Sequence, residues 1–280
     1  MKITYLFTIF FFPAMVFAQS SSKNIVTDKI PGSNCDNVVH NKLDASAQNR
    51  SPSECEVQFD WKVRTALRDA FSKAFNKFPA TDWVIADTAV KVLQEIGKQT
   101  ERSFFNPSYY FKMDMEPSST AYQDWSGKYT AITEELKTPG EATSKKFLDF
   151  MYQMNNAIHI RFYVLVNQAS NSIYFYKSGQ QTIAVPGAAY AVKGSRAGAL
   201  SGGGIDNAMD ACLILFGKPK ISVAKDSDGG TGIRSENIFP KGASHLTVQQ
   251  ISIRIECNSE LLNTLLKEID FSAVAAMIGH

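Results

Sequence analysis

The chain has 280 residues, of which 44% are hydrophobic, 11% aromatic and 20% charged. This apolar content excludes a disordered chain, and 17 glycines are far too few for a collagen-like repeat. Because 29 basic residues nearly balance 27 acidic ones, the formal charge is only +2, and no global field favours nucleic acid or an anionic membrane.

The first eighteen residues have the three-part pattern of a secretory signal peptide. Lys2 supplies a positive start, an apolar stretch runs from Ile3 to Phe17, and Ala18 offers a small residue before a cut. An uncleaved membrane anchor is the alternative, but the apolar stretch is interrupted by Pro13 and is shorter than the roughly 20 residues that a span needs. We therefore expect a signal peptide over residues 1–18, a secreted or periplasmic location, and no membrane span after cleavage.

Four cysteines, an even number, fit the oxidising compartment that a signal peptide implies. They are Cys35, Cys55, Cys212 and Cys257, and four cysteines allow three disulfide pairings. Proximity along the chain favours Cys35–Cys55, stapling an irregular polar arm over residues 19–56, together with Cys212–Cys257. The sequence alone does not choose among the pairings. Because no Cys-x-x-Cys spacing or neighbouring histidine suggests zinc, we expect no metal site.

The region from residue 57 to residue 157 shows the apolar periodicity of helices. Apolar side chains recur at helical spacing from Val63 to Phe78, and Pro79 ends that pattern. Three further helices are predicted over residues 82–96, 122–136 and 138–154. Between the helices predicted over residues 82–96 and 122–136, residues 104–117 are rich in proline and aromatic residues and are predicted to form a link.

From residue 158 onwards the period changes to that of strands. Residues 159–166 and 173–176 are rich in β-branched and aromatic side chains and predict a hairpin. Alternation from Ile251 to Cys257 predicts a strand with one buried face, and helices are expected over residues 205–216 and after Asn258. We therefore predict an α+β fold in a single domain over residues 57–280, with N-terminal helices packed against a C-terminal, mainly antiparallel sheet and one or two late helices.

The glycine-rich passage that begins at Lys193 is the first candidate binding region. Backbone amides in such a loop, together with Arg196 and Ser201, are suited to bind a phosphate, sulfate or carboxylate. The passage lacks the Lys-Ser/Thr ending of a nucleotide-binding P-loop. Ser201 is not a nucleophile elbow either, since Ala199 stands where its first glycine is required. A flexible surface loop is the alternative.

The aromatic segment over residues 104–111 is the second candidate binding region. Five of its eight side chains are aromatic, although no helical or strand period is evident there. Tyrosine and phenylalanine are favoured at the centres of protein interfaces, so Tyr109, Tyr110 and Phe111 are predicted to bind a partner. The alternative is that the segment covers the core.

The chain contains no recognisable catalytic motif, and its four histidines show no metal-ligand spacing. We therefore expect an exported soluble binding or interaction protein, such as a binding module, an inhibitor or an envelope-associated partner. Its ligand is expected to be another protein rather than nucleic acid, with no cofactor. The alternative is a secreted or periplasmic hydrolase whose dispersed active-site residues lie near the glycine-rich loop 194–206.

Overall fold

The computed structural model describes residues 54–87, 106–137, 140–168, 170–175, 180–196, 209–225, 227, 229–238 and 246–280. Contacts divide the chain into residues 1–33 and 34–280, and every described residue belongs to the second unit. The helices are α1 (Glu54–Phe75), α2 (Thr120–Glu135), α3 (Glu141–Ile158), α4 (Ser259–Glu268) and α5 (Phe271–Ala276). The strands are β1 (Trp83–Asp87), β2 (Ser108–Met115), β3 (His159–Val166), β4 (Ser170–Phe175), β5 (Gln181–Thr182), β6 (Tyr190–Arg196), β7 (Met209–Gly217), β8 (Lys220–Lys225), β9 (Thr231–Glu236) and β10 (Gln250–Cys257). The predicted signal peptide lies outside these residues, and so does the predicted arm up to residue 53.

Seven strands form one antiparallel sheet in the order β1-β2-β3-β10-β7-β6-β5. The last strand of the chain, β10, lies between β3 and β7, so residues far apart in sequence become neighbours. A separate antiparallel sheet has the order β4-β9-β8. Helices at the start, an antiparallel sheet and two late helices confirm the predicted α+β class.

The main core lies between one face of the large sheet and helices α1, α4 and α5. Strand β3 alternates buried and partly exposed residues along its length, since successive side chains of a strand point to opposite faces. From α1, Phe71 stacks on Phe162 of β3 with ring centroids 5.5 Å apart and meets Phe111 of β2 edge-on at 5.7 Å. Leu265 of α4 and Val274 of α5 are fully buried in the same core.

The opposite face of the large sheet is covered in part by the small sheet. Ile173 and Phe175 of β4 and Ile233 of β9 form a second buried cluster with Leu213 and Leu215 of β7. The small sheet therefore covers this face of β6 and β7. The neighbouring strands β10, β3 and β2 carry polar side chains on the same face.

Helices α2 and α3 pack against each other, in the region where helices were predicted. The hydroxyl of Ser119 accepts a hydrogen bond from the Tyr122 amide and caps the start of α2. Trp125 of α2 and Phe150 of α3 place their ring centroids 5.7 Å apart. In the part of the chain that the structure describes, no helix is both long enough and apolar enough to cross a membrane.

The structure differs from the sequence prediction at several elements. Helix α1 begins at Glu54, within the predicted irregular arm over residues 19–56. Strands β3 and β4, which were predicted to form a hairpin, lie in separate sheets. Strand β1 occupies the start of the predicted helix over residues 82–96, whose remainder lies outside the described residues, and β2 occupies the predicted link over residues 104–117. Strand β7 replaces the predicted helix over residues 205–216. Its residues 211–216 are buried on both faces between β10 and β6, so this apolar run lacks the alternation of a one-sided strand. Periodicity alone does not separate such a run from a buried helix.

Candidate functional site

The polar strand face is the surface formed by the outward side chains of the neighbouring strands β2, β3 and β10. It comprises Tyr110, Lys112 and Asp114 of β2, His159, Arg161 and Tyr163 of β3, and Arg254 and Glu256 of β10. The strand register arranges them in three cross-strand rows. Because directly opposed side chains on a sheet lie about 4.5–5.5 Å apart at Cβ, the rows form one continuous surface.

The aromatic row of this face joins Tyr110, Tyr163 and Arg254 across three strands. The rings of Tyr110 and Tyr163 have centroids 5.0 Å apart. The guanidinium carbon of Arg254 lies 4.2 Å from the centroid of Tyr163, within the range of a cation–π contact. Burial raises the pKa of Tyr110, and the neighbouring Tyr163 raises it further, so the phenol keeps its proton. Each side chain of the row is thus held in place by its neighbour.

The row at one end of the face contains Asp114 and His159. His159 Nδ1 lies 2.7 Å from Asp114 Oδ1, and Lys112 Nζ donates to Asp114 Oδ2 at 2.6 Å. Burial alone would raise the pKa of Asp114, but the hydrogen bonds from His159 and Lys112 outweigh it and lower the pKa to about 2. A His–Asp pair serves catalysis when the histidine also contacts a nucleophile. Among the described residues, no serine or cysteine is hydrogen-bonded to His159.

The middle row is charged and partly buried. Arg161 stands between Lys112 and Glu256 in the register. The Glu256 side chain is buried, and its Oε1 lies 3.1 Å from Arg254 Nε, which offsets the cost of burying the carboxylate. The three cations Lys112, Arg161 and Arg254 exceed the two carboxylates Asp114 and Glu256 by one charge, so the face is weakly positive.

Two of the three aromatic residues that were predicted to bind a partner are core residues. Tyr109 is 3% exposed and Phe111 is 1% exposed, because both point from β2 toward α1. The Tyr109 hydroxyl donates to Asp60 Oδ1 at 3.0 Å, and Arg64 Nη2 donates to Asp60 Oδ2 at 2.7 Å. Neither ring is available to a partner of the folded protein, which corrects the prediction for Tyr109 and Phe111. Tyr110 between them belongs to the polar strand face.

The glycine-rich passage connects two strands rather than a strand and a helix. Strand β6 ends at Arg196, whose backbone pairs with Met209 at the start of β7. The side chain of Arg196 and the whole of Ser201 lie outside the described residues. Their predicted roles in binding therefore stay predictions.

A pocket of about 250 Å³ lies where β6 ends and β7 begins, and we call it the serine–aspartate pocket. Lys193 and Ser195 of β6, Asp210 of β7, and Ser259 and Asn263 of α4 line it. Ser195 Oγ donates to Asp210 Oδ1 at 3.0 Å, and Ser259 Oγ donates to Asp210 Oδ2. Lys193 Nζ donates to Asn263 Oδ1 at 3.1 Å. The pocket thus holds a carboxylate and an ammonium group with separate partners.

Cys212 and Cys257 are free, buried thiols, so the prediction of a Cys212–Cys257 disulfide is wrong. Cys257 faces Asp210 across the β7–β10 pair, which makes Cys212 its diagonal neighbour. Diagonal neighbours lie about 7–8 Å apart, beyond the Cα separation of about 4.4–6.8 Å in most disulfides. Burial raises the pKa of Cys212 to about 12 and also raises that of Cys257. Cys55 is disulfide-bonded, and its predicted partner Cys35 lies outside the described residues.

Sequence reasoning missed most of the polar strand face, although one signal for it was present. From Phe111 to Met115, apolar and polar residues alternate as they do in a half-buried strand. The density of aromatic residues around Pro107 favoured a link instead. No local pattern places Arg254 beside Tyr163, since that neighbourhood depends on β10 lying next to β3.

Comparison of the chain with protein-family models, curated proteins and solved structures finds no match. Among the residues that the structure describes, no three histidine, cysteine, aspartate or glutamate side chains are grouped as a metal site requires. Function is therefore inferred from the polar strand face and the serine–aspartate pocket.

Proposed function

We propose that this protein is an exported binding protein that recognises another protein through the polar strand face. The aromatic row carries the proposal, because Tyr110 contacts Tyr163 and Tyr163 contacts Arg254 across three strands. Tyrosine and arginine are among the residues that contribute most binding energy at protein interfaces. Side chains that already restrain each other lose less conformational entropy when a partner binds.

The charged rows support specific recognition by the same face. The side chains of Lys112, Asp114 and His159 are 37%, 31% and 30% exposed, so they are accessible and yet fixed by mutual hydrogen bonds. Partly exposed charges of both signs steer association and discriminate among partners. Strands β2 and β3 are each paired on both sides, which keeps the rows in register.

Export is supported by the signal-peptide pattern over residues 1–18 and by the disulfide-bonded Cys55, since disulfides form and persist outside the cytoplasm. Sequencing the amino terminus of the protein from an extracellular or envelope fraction tests this part. We expect the mature chain to begin at Gln19. A chain that stays in the cytoplasm and begins at Met1 would contradict export.

The binding part is tested by partner capture from an envelope extract with the wild-type protein and two variants. Tyr110→Ala and Arg254→Ala remove the two ends of the aromatic row. Loss of an interface anchor typically costs about 2 kcal/mol or more, which is roughly a thirtyfold loss of affinity. Tyr174→Ala is the matched control, because Tyr174 is 40% exposed on β4 in the separate sheet.

The captured protein is identified by mass spectrometry and its affinity is then measured with purified components. Loss of affinity in Tyr110→Ala and Arg254→Ala, with the Tyr174→Ala control unchanged, supports the proposal. Equal affinity in all variants, or an equal loss in the control, contradicts recognition by this face. Thermal unfolding of each variant separates a folding defect from lost binding.

A hydrolase is the second candidate function, and the serine–aspartate pocket is the observation that favours it. Two serine hydroxyls meet a carboxylate there, next to the glycine-rich passage. The described lining contains no histidine, so the Asp210 carboxylate, which accepts both serine protons, is the available base for activating a serine. Turnover of ester or peptide substrates that disappears in Ser195→Ala or Ser259→Ala would support this function. Activity unchanged in both variants would exclude these serines as nucleophiles.

A further inference from the structure

Opposite charges line the serine–aspartate pocket without pairing with each other. Within the described residues, Asp210 accepts hydrogen bonds from Ser195 and Ser259, whereas Lys193 donates to Asn263. Lys193 and Asp210 are diagonal neighbours on β6 and β7, and such positions lie about 7–8 Å apart on a sheet. The pocket therefore has an anionic end and a cationic end.

The anionic end presents hydrogen-bond acceptors. A serine hydroxyl carries one proton, and the protons of Ser195 and Ser259 are both directed at Asp210. The oxygen lone pairs of the two serines and the remaining lone pairs of the carboxylate are left for a ligand. An ammonium group, with three donors and a positive charge, complements this end.

The cationic end presents hydrogen-bond donors. Lys193 uses one N–H on the side-chain oxygen of Asn263, which leaves two ammonium N–H groups and the Asn263 amide N–H groups to donate. These donors complement a carboxylate. The pocket volume of about 250 Å³ lies below the range of about 300–1,000 Å³ found for drug-sized ligands, so the ligand is small. Leu262 adds an apolar wall.

We propose that the serine–aspartate pocket binds a free α-amino acid as its zwitterion. The ammonium group lies at Asp210 and the two serines, and the carboxylate lies at Lys193 and Asn263. A simple anion, the ligand class predicted from the glycine-rich passage, meets the Asp210 carboxylate, and a simple cation meets Lys193. Like charges brought together at a binding site oppose association. A molecule that carries both charges satisfies both ends.

The first test uses the wild-type protein and a set of small probes. The standard L-amino acids are titrated by calorimetry and by thermal unfolding at constant ionic strength, beside acetate, methylammonium and glycerol. We expect at least one amino acid to bind with millimolar affinity or better and to raise the melting temperature, and the three other probes to do neither. The proposal is overturned if no amino acid binds, or if one of those three probes binds as well as the best amino acid.

The second test assigns the binding to the two charged ends. Asp210→Asn and Lys193→Met each remove one charge, and affinity should fall about tenfold to a hundredfold, as expected when a charged hydrogen bond is lost. Asp69→Asn and Lys225→Met make the same changes at exposed positions on α1 and β8 and should bind normally. Unchanged affinity in both pocket variants overturns the assignment.

If Asp210→Asn fails to fold, Ser259→Ala probes the same end of the pocket, with the same expected loss of affinity. Normal binding by Ser259→Ala and Lys193→Met then overturns the proposal. Since none of these residues belongs to the polar strand face, a negative result here leaves the proposed protein-binding function untouched. Conversely, loss of partner capture in Tyr110→Ala does not affect amino-acid binding.

Discussion

Phe111 and Tyr110 are adjacent residues on opposite faces of β2, so their substitution distinguishes a core position from a position on the polar strand face. Phe111→Ala removes a ring that is 1% exposed, with Phe71 edge-on at 5.7 Å and Phe75 at 6.4 Å. Tyr110→Ala removes a partly exposed ring from the other side of the same strand. We predict a much larger loss of unfolding free energy for Phe111→Ala.

The size of the loss follows from the area that Phe111 removes from water. A buried aromatic side chain covers about 150–250 Å², which corresponds to about 4–6 kcal/mol at roughly 25 cal/mol per Å². A compact unfolded chain reduces that figure by about 10–40%. We therefore expect Phe111→Ala to cost about 3–5 kcal/mol, the range typical of buried Phe→Ala substitutions. Tyr110 keeps part of its area in water, so its replacement should cost about 1–2 kcal/mol.

Urea unfolding of the wild-type protein and of both variants measures these losses. Free energies are compared by linear extrapolation, provided that the slope with denaturant is the same for all three proteins. If Tyr110→Ala costs as much as Phe111→Ala, Tyr110 is a core residue and the polar strand face loses the end of its aromatic row. If Phe111→Ala costs less than about 1.5 kcal/mol, well below the buried range, Phe111 is not in the core.

Two further predictions concern titratable groups. Cys212 and Cys257 are free and fully buried. A thiol reagent should therefore modify neither cysteine in the native, unreduced protein and both cysteines after denaturation. Absence of label in the denatured protein would mean that the two cysteines are paired. The folded protein lowers the pKa of Asp114 from 3.8 to about 2, so its stabilising contribution is complete above about pH 4 and is lost as the pH falls through about 2. Because this carboxylate is partly exposed, solvent screening reduces the contribution to about 1 kcal/mol. Wild-type protein and Asp114→Asn should differ by that amount at neutral pH and converge near pH 2, and a difference independent of pH would contradict the assigned contacts.

Elements with a regular pattern were predictable from the sequence. Helix α1 keeps apolar residues at helical spacing because one of its sides packs on the sheet, and that spacing predicted it. The alternation from Ile251 to Cys257 predicted β10, although Ser252 and Glu256 on its other face are also buried. Strand β7 has core on both faces, so its sequence shows no alternation and predicts a helix instead.

The candidate site was much less predictable than the fold class. Its three rows combine residues around positions 110–114, 159–163 and 254–256, and only the sheet register brings them together. Arg254 has no local feature that marks it as a partner of Tyr163. Conversely, Tyr109 and Phe111 have the residue types of an interface, but the alternation of β2 directs them into the core. The residue types of this segment are those of an interface, but the alternation of side chains along β2 determines which of them lie on the polar strand face.

Gly194 links the packing of the small sheet to the serine–aspartate pocket. In the sequence it begins a passage rich in glycine, which suggests flexibility, but in the structure it lies inside β6. A Cβ at this position would stand 2.9 Å from Cδ1 of Phe175 and 3.1 Å from Cα of Gln180, so only glycine lets these residues approach the strand. Because neighbours in a strand point to the opposite face, Lys193 and Ser195 are directed away from that contact. Glycine is therefore required at position 194 because one face of β6 packs closely against the small sheet. That packing fixes the position of β6, whose opposite face carries Lys193 and Ser195 of the pocket.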